Sequence, residues 1–322
     1  MKRFDVICIG VALIDLPIGP VDEKVFKNET TMVPELRLTT GGDALNEAII
    51  LARLGKRPAL IGHVGKDMLG DVIAVRCSEE GVDHTLLIRD PNAATRINVV
   101  AVGMDGQRHF IKTQSAVSVS FRPDEIDEAV FRDARAVSLA SIFCSKLRNP
   151  ETILKIVKAA KGNDMVTFAD VVPMTCGETL GDIAEALPFI DYFLPNCEEA
   201  ALLTGASDPD EMAELLIGTG IGTVVIKLGK DGCLIRNSEE RYRIPAFPVH
   251  VIDTTGAGDN FAAGFITAVL EGRDLYSCGV FASAVAALST TGTGASAGVR
   301  DRQHAEAFLL ENRKGNGCRD EK

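Results

Sequence analysis

The segment Asp253-Thr254-Thr255-Gly256-Ala257-Gly258-Asp259-Asn260-Phe261 holds the chain's most informative set of chemically capable residues. The apolar run Val249-His250-Val251-Ile252 before it reads as a strand. Phe261, Phe265, Ala268 and Val269 recur at helical spacing after it, and Gly272 can end the helix. The Gly-Ala-Gly turn therefore falls at a helix N-terminus, where unsatisfied amides and the positive end of the helix dipole attract an anion. Asp259, in the first turn, can take a proton from an attacking hydroxyl. Phosphoryl transfer asks mainly for such positioning and for charge neutralisation. The same residues also read as a glycine-rich turn with a capping acid, and both readings stand at this point.

Rival phosphate motifs fail. No G-x-x-x-x-G-K-[ST] occurs, which excludes a P-loop. Gly292-Thr293-Gly294-Ala295-Ser296-Ala297 fits G-x-G-x-x-A but follows an alanine-rich helix, whereas the dinucleotide fingerprint needs a strand first. His63, His84, His109, His250 and His304 are dispersed and show no metal-ligand spacing.

The elements that must position these residues alternate along the chain. Val6–Gly10 reads as a strand buried on both faces, and Gly41–Gly55 as a helix with Asp43 as N-cap and Gly55 at C′. Ala59–Ile61, Ala136–Ser141, Met165–Ala169, Tyr192–Leu194 and Thr223–Leu228 read as further strands, with helices near 67–80 and 150–160. This alternation predicts an α/β fold: a doubly wound, mainly parallel sheet with helices on both faces. Residues 15–39 and 94–114 break the rhythm. The span 95–113, with Asp105-Gly106 as its turn, reads as a hairpin, so these two stretches predict a small β-sheet lid. The core then comprises 1–14, 40–93 and 115–314, and 315–322 is a flexible polar tail.

Composition bounds the function. The 322 residues carry a net charge of −11, which argues against a nucleic-acid or anionic-membrane surface. No apolar run approaches the ~18 residues of a membrane span. The eight cysteines are scattered with no CxxC, pointing to a reducing cytoplasm rather than a disulfide framework or zinc site.

Two motifs carry a resemblance. Asp253–Phe261 is similar to the C-terminal signature of the ribokinase-like (PfkB-type) carbohydrate kinases. Gly41-Gly42-Asp43-Ala44-Leu45-Asn46-Glu47-Ala48, running on to Leu51–Gly55, resembles that family's N-terminal signature. The resemblance spans about Arg3 to Arg300 and implies ATP-dependent phosphorylation of a sugar hydroxyl. It makes Asp259 the catalytic base and Gly256, Ala257 and Gly258 the anion hole. Asp15, Gly41, Gly42 and Asn46 become substrate-binding residues. Asn196 and Glu199 match an N-x-x-E pattern that orders water around Mg²⁺. Lys227, Gly229 and Gly232 match the nucleotide-side strand and turn, with Ser283 beside the base. A monovalent cation, K⁺, would take carbonyls of Asp253, Thr255, Ala287 and Gly292, with Ser296 nearby.

There are departures from the pattern. Asp43 stands where ribokinases carry a lysine, and the strand near Ser138–Ile142 lacks their sugar-binding acid. Asp170 keeps an acid at a strand end without the Asn-Tyr-Arg run of ketodeoxygluconate kinases. The reading is a cytoplasmic kinase of a small neutral sugar, fructose- or ribose-like, forming a homodimer through its lid. Arg96, in the hairpin, is the residue that would instead favour a sugar acid. A nucleoside kinase is the rival on the same fold, through apolar Ile14, Leu16, Ile97 and Val99. A non-catalytic sugar-binding protein is the rival from another class, disfavoured by the intact Asp259, Gly256 and Gly258.

Overall fold

The chain enters through β1 (Phe4–Ile9), all six residues of which are buried, as its unbroken apolar run requires. It passes through β2 (Leu13–Val21), β3 (Thr39–Gly41) and α1 (Asp43–Arg53) to β4 (Pro58–Ile61) and β5 (His63–Gly65). Next come α2 (Met68–Glu80), β6 (Ile88–Asp90), β7 (Ile97–Gly103), β8 (Arg108–Lys112), β9 (Ala134–Ile142) and α3 (Pro150–Lys161). Then follow β10 (Val166–Val171), β11 (Tyr192–Phe193), α4 (Cys197–Thr204), α5 (Pro209–Ile217) and β12 (Thr223–Lys227). The chain closes with β13 (Cys233–Arg236), β14 (Arg241–Ile244), α6 (Ala257–Leu270), α7 (Leu275–Ser289) and α8 (Arg302–Gly315). The structure is a computed structural model and describes residues 2–34, 36–104, 107–112, 120–174 and 177–315.

Eight strands form the main sheet in the order β14-β13-β12-β11-β10-β9-β1-β4. Every pairing from β4 across to β12 is parallel, and β13 and β14 add an antiparallel edge. Alternate residues serve opposite faces. Val6 and Cys8 pack with α1, α6 and α7, while Ile7 and Ile9 pack with α3 and α5. The expected doubly wound architecture is thus present. Among the described residues no helix is long and apolar enough to cross a membrane.

The smaller sheet has the order β3-β2-β7-β8, with β7 and β8 the expected hairpin and β2 parallel to β7. Its strands begin at Leu13 and end at Gly41, so the expected boundaries at 15 and 39 fall inside β2 and β3. The turn residues 105–106, and 113–114 at the end of the expected hairpin segment, lie outside the described residues. So do 316–322, most of the expected tail.

Two local expectations are corrected. Val249–Ile252 is not a strand, because the sheet already ends at β14 and offers this run no neighbour. Val251 and Ile252 are more than half exposed, and the amides of Ile252 and Asp253 both donate to the Thr290 carbonyl. Nor is Asp43 the cap of α1. Gly42 is, at φ 100°, and a Cβ there would meet the Val11 carbonyl oxygen at 2.4 Å.

That second correction belongs to a pattern. Asp67, Asn149, Asn196, Asp208 and Asp274 cap α2, α3, α4, α5 and α7 through their side chains. By contrast, α1 and α6 begin at glycines with no side-chain cap. Those two helices carry Asn46 and the expected base, Asp259.

Behind the sheet, Glu271 just past α6 accepts hydrogen bonds from Lys56 (2.6 Å) and Arg273 (2.8 Å) and pairs with Arg302. Burial opposes its charge, but Arg302 and Lys56 prevail and hold the carboxyl down at about 2. A folded pKa below the unfolded value stabilises the fold above pH ~4.3, and that stability is lost as pH falls through about 2. Glu271→Gln should therefore lower the Tm at pH 7, with the gap to wild type closing between pH 4.5 and 2. Thermal melts across that range measure it.

Candidate active site

Gly256 opens α6 in the left-handed region at φ 71°, and a Cβ there would lie 2.7 Å from the Ala295 Cβ. Asn260 Nδ2 donates to the carbonyls of Gly256 and Ala295, both at 2.7 Å, tying the turn to the loop after α7. The first turn of α6 is thereby fixed while its amides have no side-chain cap. This is the physical basis of an anion site at Gly256, Ala257 and Gly258.

Asp259 faces the N-terminus of α1. Asn46 Nδ2 donates to Asp259 Oδ2 at 2.8 Å, so the two uncapped helices are joined by one hydrogen bond. Burial, and then the charge of Asp43, push the Asp259 carboxyl well above the usual carboxylate range; the Asn46 bond pulls the other way. A carboxylate in that setting is a stronger base than one in water.

A cavity of about 310 Å³ opens beside it, lined by Asp43, Asp170, Glu199, Lys227, Gly258 and Asp259 among others. Lys227, at the end of β12, is buried and ion-paired with Asp170, at the end of β10. Burial works against the Lys227 charge, yet Asp170 and Glu199 raise its pKa, so it stays a cation. Its Nζ would lie 3.5 Å from a Cβ on Gly258, which sets the cation against the anion-binding turn. Sequence reasoning put Lys227 on the nucleotide side. Structurally it stands at the centre of the acids.

Glu199 was expected from a motif and would otherwise read as an exposed helix acid. It is 5 % exposed. Its Oε2 accepts from the Asn196 amide (2.7 Å) and the Asn196 Oδ1 accepts from the Glu199 amide (2.9 Å), a reciprocal cap on α4. Burial, then Asp170, raise Glu199 to about 7. Among the described residues no group of three His, Cys, Asp or Glu side chains is arranged to hold a metal. An ion here would therefore lean on phosphate oxygens and water, which suits Mg²⁺.

On the lid side, Asp15 sits on β2 and accepts from Asn98 Nδ2 on β7 at 3.1 Å. Gly41 leaves room for it, since a Cβ there would fall 2.0 Å from Asp15 Oδ2 and push the carboxylate aside. Arg96 is half-buried, reaching Ser145 Oγ at 3.4 Å, and its charge acts on both Asp15 and Asp43. Ile14 and Ile97 pack into the core, away from the Asp15 face. The apolar wall beside Asp15 is instead Val100, Val102 and Phe110 facing Met68, Val72 and Val75 of α2, across a groove of about 1280 Å³.

Other expected positions fare unevenly. Gly229 is open, with no atom within 4 Å of a Cβ, whereas a Cβ at Gly232 would collide with the Ile244 carbonyl oxygen at 1.9 Å. Gly232 therefore serves the β12–β13–β14 packing. Ser283 is buried against Cys233 (3.7 Å) between α7 and β13 and does not line the cavity. In the expected cation site, the Asp253 carboxylate is engaged by the amides of Thr255 (2.7 Å) and Gly294 (2.8 Å). The Ala287 carbonyl already accepts from the Thr290 amide and hydroxyl, and the Ser296 carbonyl from Arg53.

Sequence reasoning missed two acids. Asp43 and Glu47 share one face of α1 with Asn46 by their i, i+3 and i+4 spacing, a signal available in the sequence. Ser141 Oγ donates to Asp43 Oδ2 at 2.5 Å. Glu47, 2 % exposed, is raised by burial to about 8.

Comparison with known proteins agrees with this geometry. The pfkB family carbohydrate kinase description matches residues 3–302. The chain is 31 % identical over 293 residues to a ribokinase of Haemophilus influenzae, covering 87 % of this chain and 90 % of the relative. It is 26 % identical to a 5-dehydro-2-deoxygluconokinase of Clostridium botulinum, covering 98 % and 96 %. The structure of Arabidopsis thaliana ribokinase complexed with ribose and ATP superimposes with a TM-score of 0.81 at 26 % identity, covering 96 % of this chain and 99 % of that one.

Because Asn46 stabilises the charged form of Asp259, Asn46→Ala should raise the Asp259 pKa. The base is active only when deprotonated, so the acidic limb of the kcat/KM profile should move to higher pH. Initial rates between pH 5 and 9 test this, and a limb that stays put or moves down contradicts the assignment.

Proposed function

The chain belongs to the pfkB family of carbohydrate kinases and is an ATP-dependent sugar kinase; from that premise we propose how its residues divide the work. Asp259 takes the proton of the acceptor hydroxyl as its oxygen bonds to the γ-phosphorus and the bond to the β-phosphate oxygen breaks, releasing ADP. Gly256, Ala257 and Gly258 offer amides to the charge on the transferring group, and Lys227 stands beside them as a fixed cation. Mg²⁺, held through water by Glu199 and Asn196, would neutralise phosphate charge. Asp15, Gly41, Gly42 and Asn46 hold the sugar, with Asn98 orienting Asp15. The observation that supports this reading most is the Asn46–Asp259 hydrogen bond, which joins α1 to the first turn of α6, where glycine leaves the helix without a side-chain cap.

We assign the acceptor as a small neutral sugar. Arg96 already serves as counter-charge to Asp15 and Asp43, which leaves the pocket acidic and suited to hydroxyls. The wide apolar groove beside Asp15 supports a second reading, an acceptor with an apolar substituent such as a nucleoside. Exposed Phe110 and Ile111 on the edge strand β8 support pairing of the lid with a second copy of the chain.

Purified enzyme with Mg-ATP should phosphorylate fructose or ribose in preference to adenosine, inosine or ketodeoxygluconate. Asp259→Asn should lower kcat about 10²–10⁴-fold with acceptor and ATP affinity within a few-fold; a variant keeping a tenth of wild-type kcat refutes the base. Glu199→Gln can still accept the Asn196 amide and keep the cap. It should raise the Mg²⁺ concentration for half-maximal rate and leave the acceptor KM unchanged. An unaltered Mg²⁺ dependence would return Glu199 to a purely structural role.

A further inference from the structure

Arg53 closes α1, and its guanidinium joins two elements far from it in sequence. Nε and Nη2 donate to the two carboxylate oxygens of Glu80, at the end of α2, at 2.8 and 2.6 Å. Nη1 donates to the carbonyls of Ser296 and Val299, the latter at 2.8 Å, in the loop that follows α7. The pair is sheltered, with side chains 17 % and 11 % exposed. Packing α1 on α2 requires the carboxylate pair alone. The two bonds to loop carbonyls need another explanation.

The neighbours of that loop supply it. Asn260 Nδ2 donates to the Ala295 carbonyl and to the Gly256 carbonyl, both at 2.7 Å. Ala295 lies so close to Gly256 that a Cβ on the glycine would fall 2.8 Å from the Ala295 carbonyl oxygen. The loop is therefore pinned to the anion-binding turn at residue 295 and to Arg53 at residue 296. One peptide separates the two attachments. The same helix reaches Asp259 from its first turn, through Asn46. About 10 Å of helix lies between Asn46 and Arg53, so α1 is a stiff strut with one end on Asp259 and the other behind the turn.

Glu80 completes the arrangement. Burial favours its neutral form, but Arg53 and then Arg76, at 2.7 Å, hold its carboxyl below the ordinary range, so the guanidinium keeps a charged partner. An ammonium could not replace that guanidinium. The planar fork meets the carboxylate along one edge and the carbonyls with its remaining nitrogen, whereas lysine is a single point donor.

We propose that Arg53, aligned by Glu80, is a positioning residue for phosphoryl transfer: by fixing the Ser296 and Val299 carbonyls it holds Ala295 against Gly256 and keeps the amides of Gly256, Ala257 and Gly258 aimed at the transferring group. The inference rests on the anion-hole reading above and extends it to a residue outside the catalytic cavity.

The test is steady-state kinetics of wild type, Arg53→Ala, Arg53→Lys, Arg76→Ala and Gly258→Leu with Mg-ATP and the best acceptor among fructose, ribose and adenosine, below the melting temperature of each variant. Arg53→Ala should lower kcat about 10–100-fold, the scale on which misaligned groups and lost oxyanion donors act. The acceptor KM should stay within about three-fold. Guanidinium chloride at about 20 mM, far below denaturing concentrations, should recover part of the lost kcat in Arg53→Ala alone, because the groove of about 1280 Å³ opens onto the vacated place. Arg53→Lys keeps the charge without the fork and should stay about 10-fold below wild type; it gives the answer if Arg53→Ala does not fold. Arg76→Ala removes the other arginine on Glu80 and should keep the wild-type kcat. A kcat within about two-fold of wild type in both Arg53 variants, a change confined to the acceptor KM, or a loss that Arg76→Ala reproduces overturns the inference while a loss in Gly258→Leu leaves the anion hole standing. Gly258→Leu at the wild-type rate overturns the anion-hole reading, and this inference with it.

Discussion

Everything in the site depends on how four carboxylates are kept in one small cavity around a single lysine. Asp43, Asp170, Glu199 and Asp259 would repel one another strongly at low dielectric. The Lys227–Asp170 pair fixes one charge of each sign, and removing either partner of such a buried pair typically costs about 3–5 kcal/mol. Burial pushes the remaining acids up, Glu199 to about 7 and Asp43 and Asp259 in the same direction. An acid in this state is ready to change its charge when phosphate, cation or acceptor arrives. On the proposed reading, a cation brought with the nucleotide would relieve the repulsion among these acids.

The fold supplies the geometry that this balance needs. Parallel strands β9, β10 and β12 end at the same edge of the sheet, delivering Ser141, Asp170 and Lys227 there. Helices α1 and α6 reach that edge with their N-termini, the two helix starts that glycine leaves without a side-chain cap. Five other helices use Asp or Asn caps, so the absence at these two is local. A side-chain cap on α6 would compete with a phosphate for the same amides. The glycine start costs helix stability, and the packing of Phe261 and Phe265 beneath α6 compensates for it.

How much of this was legible in the sequence differs by residue. The order of strands and helices was, because buried parallel strands are short apolar runs and their helices carry a clear period. The placing of Asp259, Asn46 and Glu199 in the first turns of their helices was legible through local motifs, in which the backbone conformation and the side chains concerned occupy the same few residues. Val249–Ile252 misled because apolar character reports burial potential, and whether a sheet edge is free depends on the whole topology. Asp43 was misread as a cap because type and position fit that local role. Only the tertiary approach of Ser141, 98 residues away, shows where its carboxylate goes. Gly232 fits a nucleotide motif locally, yet a Cβ there would meet β14, and Ser283, where the family's adenine-side helix commonly has an Asn, lies against Cys233 of β13.

The path of the chain also makes the acceptor side and the base mechanically dependent. β2 carries Asp15; β3 pairs antiparallel with it and runs through Gly41 and Gly42 directly into α1. Gly41 lets the Asp15 carboxylate lie against the strand, and Gly42 turns the chain so that Asp43 and Asn46 face the cavity. Asp15 lies against Gly41, five residues before Asn46, so a displacement of Asp15 bears on the start of α1 and, through the Asn46 hydrogen bond, on Asp259. The lid sheet cannot shift at β3 without moving the N-terminus of α1. On the proposed roles, a sugar that engages Asp15 and the α1 residues together would order Asp259, whereas water, which bridges no such distance, would not. Selectivity against ATP hydrolysis would then rest on this connection of β3 to α1 as much as on any covering of the site.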